Sequence, residues 1–142
     1  MKIRIINKSG YPLPEYKTEQ SAGCDLRAVI ENPKRLLPLE RVTFNTGIYI
    51  SLPKGYEATV RPRSGLSCKY GIVALVGTID ADYRGEIRVT LINLSNEAYT
   101  IQLGERIAQL VISACEQAEW ELAEELDATE RGEKGFGSTG KC

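Results

Sequence analysis

The sequence predicts an all-β fold, a sandwich or distorted barrel, and two patterns predict it. Gly, Pro and Asn recur at short intervals, which leaves room only for many short extended segments. Those segments are filled by Val, Ile, Thr and Tyr, side chains that suit a pleated, half-buried surface. The 142 residues suffice for one domain with its own core, without disulfide or metal staples.

The elements follow in order. Lys2 to Ile6 partly alternates polar and apolar residues and reads as a first strand. Further strands are expected at Asp25–Ile30, Val42–Phe44, Gly47–Leu52 and Tyr56–Arg61, then at Ile72–Val76, Glu86–Asn93, Ala98–Gln102 and Ile107–Cys115. Pro38 and Pro53 fall at strand margins, where a missing N–H does least harm. Leu52–Gly55 and Asn93–Asn96 read as turns. Ser64–Gly71 begins with a capping residue and ends with glycine, so one or two helical turns are expected there.

Cys115–Glu130 is rich in Ala, Glu and Leu, but its seven carboxylates would repel one another in a helix. A strand around Trp120 followed by an acidic linker is expected instead. Residues 1–130 form the β domain in this reading. Residues 131–142 differ: they hold four glycines, no aliphatic side chain and one aromatic, Phe136. Such a segment cannot order itself by burial. It is a frayed tail or an arm that orders on something else.

Composition excludes several functions. A net charge of −1 supplies no field to draw in nucleic acid or an anionic membrane. The absence of histidine removes His-based triads and most zinc sites. Base catalysis must then fall to a carboxylate, Lys, Tyr or Cys. Cys24, Cys68, Cys115 and Cys142 are too far apart for a CxxC motif and read as reduced thiols. The N-terminal residues lack the apolar run of a signal peptide, and nothing approaches a membrane span. A cytoplasmic protein is expected.

The tail imitates two phosphate-binding motifs. Gly135–Gly140 matches G-x-G-x-x-G, and Gly135–Lys141 nearly matches a P-loop, with Cys142 where Ser or Thr belongs. Both motifs need a following helix, and Lys141 and Cys142 alone offer none. Closely spaced glycines can still present consecutive N–H groups to phosphate oxygens, with Arg131 and Lys134 adding cations.

Two other segments carry chemistry. Arg61–Ser67 sets two arginines, two hydroxyls and a glycine in a compact turn, a pattern that suits phosphate or a salt-bridged turn equally. Gly77–Gly85 sets Asp80 and Asp82 two residues apart. On a strand both would point to one face; in a turn they would diverge. The pair reads as a cation or water-activating site, or as an Asp-rich hairpin tip. Asp25 is a third carboxylate, in Ser21–Arg27.

Together these segments resemble the trimeric deoxyuridine triphosphatase (dUTPase) family. Its five motifs occur in order at Ala22–Arg27, Arg61–Ser67, Gly77–Glu86, Gly104–Leu110 and Arg131–Gly140, and Leu13–Tyr16 also looks familial. The resemblance implies a jelly-roll-like β-sandwich or distorted barrel with a glycine-rich C-terminal arm, assembled as a homotrimer with sites at subunit junctions. It implies hydrolysis of dUTP to dUMP and pyrophosphate, which limits uracil in DNA and supplies dUMP for dTMP synthesis, with Mg²⁺ as cofactor. Asp80 matches the carboxylate that activates water, and Tyr83 the ring stacked on deoxyribose, where a 2′-hydroxyl would clash. Arg63, Ser64, Gly65 and Gln109 match triphosphate contacts. Thr78 and Ile79 line the nucleoside, with Arg88 near it. Asp25 matches a residue linked through water to a magnesium ion that the triphosphate itself mainly holds. Arg131, Phe136, Gly137 and Ser138 match an arm closing over uracil and phosphates. Arg106 matches a structural position.

One departure concerns the base. Gly71–Gly77 is short and lacks an Asn found in many bacterial members, so uracil must be read mostly by main-chain groups. Two alternatives stand beside this reading. A dCTP deaminase shares the fold, but the complete arm and the Asp80–Tyr83 motif argue against it. A regulatory protein could use the same pocket as a nucleotide-gated switch.

Overall fold

The computed structural model describes residues 1–133 and 135. It holds ten strands and one helix: β1 (Arg4–Asn7), β2 (Gly23–Arg27), β3 (Lys34–Leu36), β4 (Arg41–Ser51), β5 (Tyr56–Arg61), α1 (Ser64–Tyr70), β6 (Ile72–Ala74), β7 (Gly77–Ile79), β8 (Ile87–Asn93), β9 (Tyr99–Ile101) and β10 (Arg106–Ala114). Two four-stranded sheets run β1-β4-β8-β6 and β2-β10-β5-β7, and β3 pairs with β9. Every pairing is antiparallel. The all-β sandwich is therefore present.

The sheets share one hydrophobic core. Residues on β8 alternate, with Ile87, Val89, Leu91 and Asn93 buried between outward neighbours, as a period of two requires. Leu26, Ala58, Val60, Ala108 and Leu110 face them from the other sheet, and Leu36 and Ile101 come from the β3–β9 pair. Each fully buried Leu or Ile contributes about 1.5–3 kcal/mol. Asn93 is buried but satisfied: its amide donates to the Leu36 and Glu97 carbonyls at 3.1 and 2.7 Å.

Three expectations change. The two segments Val42–Phe44 and Gly47–Leu52 form one strand, β4, with a bulge between Asn45 and Ile48. Gly47 takes the left-handed conformation there, φ 67°, which only glycine adopts cheaply. Ser64 is the first residue of α1 and not its cap; Arg63 occupies the cap position in extended conformation, without a side-chain capping bond. Gly71 does close the helix, left-handed at φ 67°. No strand surrounds Trp120: 115–130 carries neither strand nor helix. Trp120, Leu122 and Leu126 are almost fully exposed. The seven carboxylates keep this run in water, and only its start is tied to the sheet, where the Cys115 N–H donates to the Gly55 carbonyl at 3.0 Å. β3 and β7 were not foreseen as strands. No described helix is long and apolar enough to cross a membrane.

The path from β6 to β8 positions the site. β6 belongs to the first sheet, β7 to the second, and β8 returns to the first. The chain crosses between sheets twice within a few residues, and the corner it turns after β7 carries Asp80 and Tyr83.

Candidate active site

The corner closes as a turn, with the Tyr83 N–H donating to the Asp80 carbonyl at 3.1 Å. It is not the tip of a hairpin, because β7 and β8 lie in different sheets. Asp80 helps line a hollow of about 220 Å³ together with Thr78, Ile79, Tyr83 and Arg88. Asp82 does not line it. Asp82 borders a larger hollow of about 850 Å³, beside the Leu52–Glu57 turn and Cys115–Gln117, and Asp80 stands at the edge of both.

Five of the expected residues thus meet in one place. Sequence reading missed four more that line it: Val60, Gly77, Glu86 and Ile87. Glu86 and Gly77 lay inside the third motif, so proximity was the available signal; Val60 and Ile87 are ordinary strand residues and gave none. β7 pairs on one side only, with β5. Its other edge leaves main-chain donors and acceptors open beside the hollow.

Arg63, Asp25 and Gln109 form a second group. Gln109 on β10 lies between Asp25 on β2 and Arg61 on β5 in register. Asp25, Gln109 and Arg61 border a cavity of about 340 Å³ with Lys17 and Ser21 at its rim, and Arg63 joins the group through its ion pair with Asp25 without lining that cavity. Asp25 is the anchor of the group. Arg106 Nη1 donates to its Oδ2 at 3.2 Å. Arg63 Nε stands 3.1 Å from Oδ1, off the N–H direction, so that contact is an ion pair without a hydrogen bond. Arg63 Nη1 donates to the Arg106 carbonyl at 2.7 Å. Arg106 therefore acts structurally. Ser64 and Gly65 open α1 at the surface, and a Cβ at Gly65 would meet nothing within 4 Å. The first N–H groups of a helix have no acceptor within it, so these two residues present open donors.

Among the described residues, none lines both the 220 Å³ hollow and the 340 Å³ cavity. Arg131 is exposed near the end of the described chain, and Phe136, Gly137 and Ser138 lie outside the described residues. Among the described residues no three carboxylates or thiols gather into a metal cage. Magnesium favours one or two carboxylates plus phosphate oxygens and water, so isolated Asp25 and Asp80 fit an ion brought in with a polyphosphate.

Comparisons with known proteins show the family to which the chain belongs. The family model described as dUTPase matches residues 10–140. The deoxyuridine 5'-triphosphate nucleotidohydrolase of Finegoldia magna is 56% identical over 142 residues, with 99% of each chain covered. The solved dUTPase of Staphylococcus bacteriophage 80alpha with dUpNHpp superimposes with a TM-score of 0.89 at 30% identity, covering 98% of each chain. A solved dUTPase from phage phi11 of S. aureus, described with a structural Mg(II) ion, shares the fold with a TM-score of 0.81 at 24% identity, covering 90% of this chain and 100% of that one. With the family model spanning nearly its whole length and a curated relative above half identity, this chain belongs to the dUTPase family and hydrolyses dUTP.

Proposed function

We propose that the chain converts dUTP to dUMP and pyrophosphate at sites shared between subunits of a cytoplasmic homotrimer. The observation that carries this reading is the corner hollow, where a free carboxylate, an aromatic ring and an open strand edge meet. Thr78 and Ile79 line the nucleoside, and the free edge of β7 reads uracil through its main chain. Tyr83 covers the deoxyribose, and Arg88 stands beside it. Asp80 accepts a proton from the attacking water, which adds in line to the α-phosphorus as pyrophosphate leaves.

The phosphates need cations. Arg63 supplies one, held in place by Asp25, with Gln109 and the opening residues of α1, Ser64 and Gly65, alongside. Mg²⁺, held mainly by the triphosphate and linked to Asp25 through water, neutralises charge that would repel the nucleophile. Because none of Asp25, Arg63, Ser64, Gly65 and Gln109 lines the hollow that holds Asp80 and Tyr83, the reading joins the two groups across a subunit boundary. The nearly full exposure of Trp120, Leu122 and Leu126 supports assembly, since three large apolar side chains there are left uncovered by the described residues of their own chain. Arg131, Phe136, Gly137 and Ser138 close over the bound nucleotide as an arm.

The test is pyrophosphate release measured with dUTP, UTP and the four common deoxynucleoside triphosphates, with and without Mg²⁺. Release from dUTP alone, dependent on Mg²⁺, is expected. Ammonia released from dCTP, or equal turnover of dUTP and dTTP, would contradict the reading.

A further inference from the structure

Tyr83 is held from two sides. Its hydroxyl donates to the Glu86 carbonyl at 3.0 Å. Its ring lies directly over Gly85: a Cβ built on that glycine would stand 2.2 Å from the Tyr83 hydroxyl oxygen, 2.4 Å from Cζ and 2.9 Å from Cε2. Gly85 is not among the glycines with positive φ. Its backbone is one that any residue adopts, so the glycine is required for space and not for conformation. The atoms in the way belong to the outer end of a side chain that is itself 41% exposed. An added methyl would therefore swing the ring aside at little cost to the fold.

Glu86 is fixed in turn. Its carboxylate accepts the Gly47 N–H at 2.7 Å, at the bulge of β4. That bulge is packed against the chain after β1: a Cβ on Gly47 would stand 2.5 Å from the Ser9 nitrogen, and the Lys8 N–H donates to the Gly47 carbonyl at 2.7 Å. A backbone contact at the bulge thus fixes the carbonyl that holds the Tyr83 hydroxyl.

We infer that Gly85 and Glu86 are positioning residues for sugar selection: Gly85 clears the space in which the Tyr83 ring lies, and Glu86, braced on Gly47, pins its hydroxyl. The inference rests on the reading of Tyr83 as the ring that faces the sugar. Rejection of a 2′-hydroxyl needs a wall held within a fraction of an ångström, so a displaced ring admits UTP even though Tyr83 is still present.

The experiment compares the dUTP/UTP ratio of kcat/KM in the parent, Tyr83→Ala, Gly85→Ala, Glu86→Ala and Glu86→Gln, with a thermal melt for each. Gly85→Ala is expected to keep the parent melting temperature and lower the ratio on the order of tenfold or more, chiefly by gaining activity on UTP. Glu86→Ala lowers the ratio too, whereas Glu86→Gln keeps most of it, because the amide oxygen can still accept the Gly47 N–H. If Tyr83→Ala leaves the ratio unchanged, the underlying reading of Tyr83 fails. If Tyr83→Ala lowers it and Gly85→Ala does not, or if Gly85→Ala unfolds the protein, the seat fails while that reading survives. A Glu86→Gln variant as permissive as Glu86→Ala would remove the Gly47 brace.

Discussion

Arg63 and Asp25 are one half of a closed ring: Asp25 faces both Arg63 and Arg106, and Arg63 donates back to the Arg106 carbonyl. The Asp25 side chain is 12% exposed, against 27% and 40% for its two partners. A nearly buried carboxylate thus fixes the direction of the guanidinium proposed to meet phosphate. Asp25→Asn keeps the shape and leaves two cations without their counter-charge. It should cost about 1–3 kcal/mol of stability and lower kcat/KM for dUTP at least tenfold. Denaturant unfolding beside steady-state kinetics checks both. A raised Mg²⁺ requirement with unchanged stability would assign Asp25 to the metal's water instead of to Arg63.

Asp80→Asn removes the base and keeps the turn, because the bond that closes the turn uses the Asp80 carbonyl and not its side chain. Turnover should fall by roughly 10²–10⁴-fold, as for positioned acid–base groups. Affinity for a non-hydrolysable dUTP analogue should change only a few-fold. Near-normal turnover would remove Asp80 from the chemistry.

Much of this was legible in the sequence. The Val, Ile, Thr and Tyr content of the segments and their punctuation by Gly, Pro and Asn announced the sheets, and Gly71 announced the end of α1. What was not legible was set by tertiary placement. β7 was hidden because three residues are too few to carry a period, and its partner β5 lies some twenty residues earlier. The strand expected around Trp120 followed from the repulsion that seven carboxylates would meet in a helix, which argues against a helix but supplies no neighbouring strand to pair with. The Asp80–Asp82 spacing left strand and turn equally open, and the crossing from one sheet to the other decided for the turn. Gly85 read as one more turn glycine; only the position of the Tyr83 ring gives it another task.

The thiols separate by burial. Cys24 is buried, its Sγ faces the Leu110 carbonyl at 3.6 Å, and burial pushes its pKa above the usual thiol range. Cys68 is exposed on α1 and Cys115 is half-buried. Brief treatment of native protein with iodoacetamide, followed by peptide mass spectrometry, should find Cys68 and Cys115 modified and Cys24 intact. Early modification of Cys24 would contradict its position in the core.

Removing the arm should separate folding from turnover. Residues 131–142 contain no aliphatic side chain, so they contribute little burial. A chain ending at Glu130 should keep its circular dichroism spectrum and melting temperature while losing most dUTP turnover. Full activity in that chain would exclude the arm from the site.

Whether the phosphate group of one chain serves the nucleoside group of another can be decided by mixing two inactive proteins. Asp80→Asn spoils the nucleoside side, and Arg63→Gln spoils the phosphate side. Co-assembled in equal amounts, they form some sites with Asp80 from one chain and Arg63 from another. Random mixing in a closed symmetric ring makes roughly a quarter of sites whole, one half times one half. The predicted result is recovery of about a quarter of parental dUTP turnover, against almost none in either protein alone. Mixed oligomers that form and stay inactive would mean that both groups act within one chain, and the shared site would be wrong.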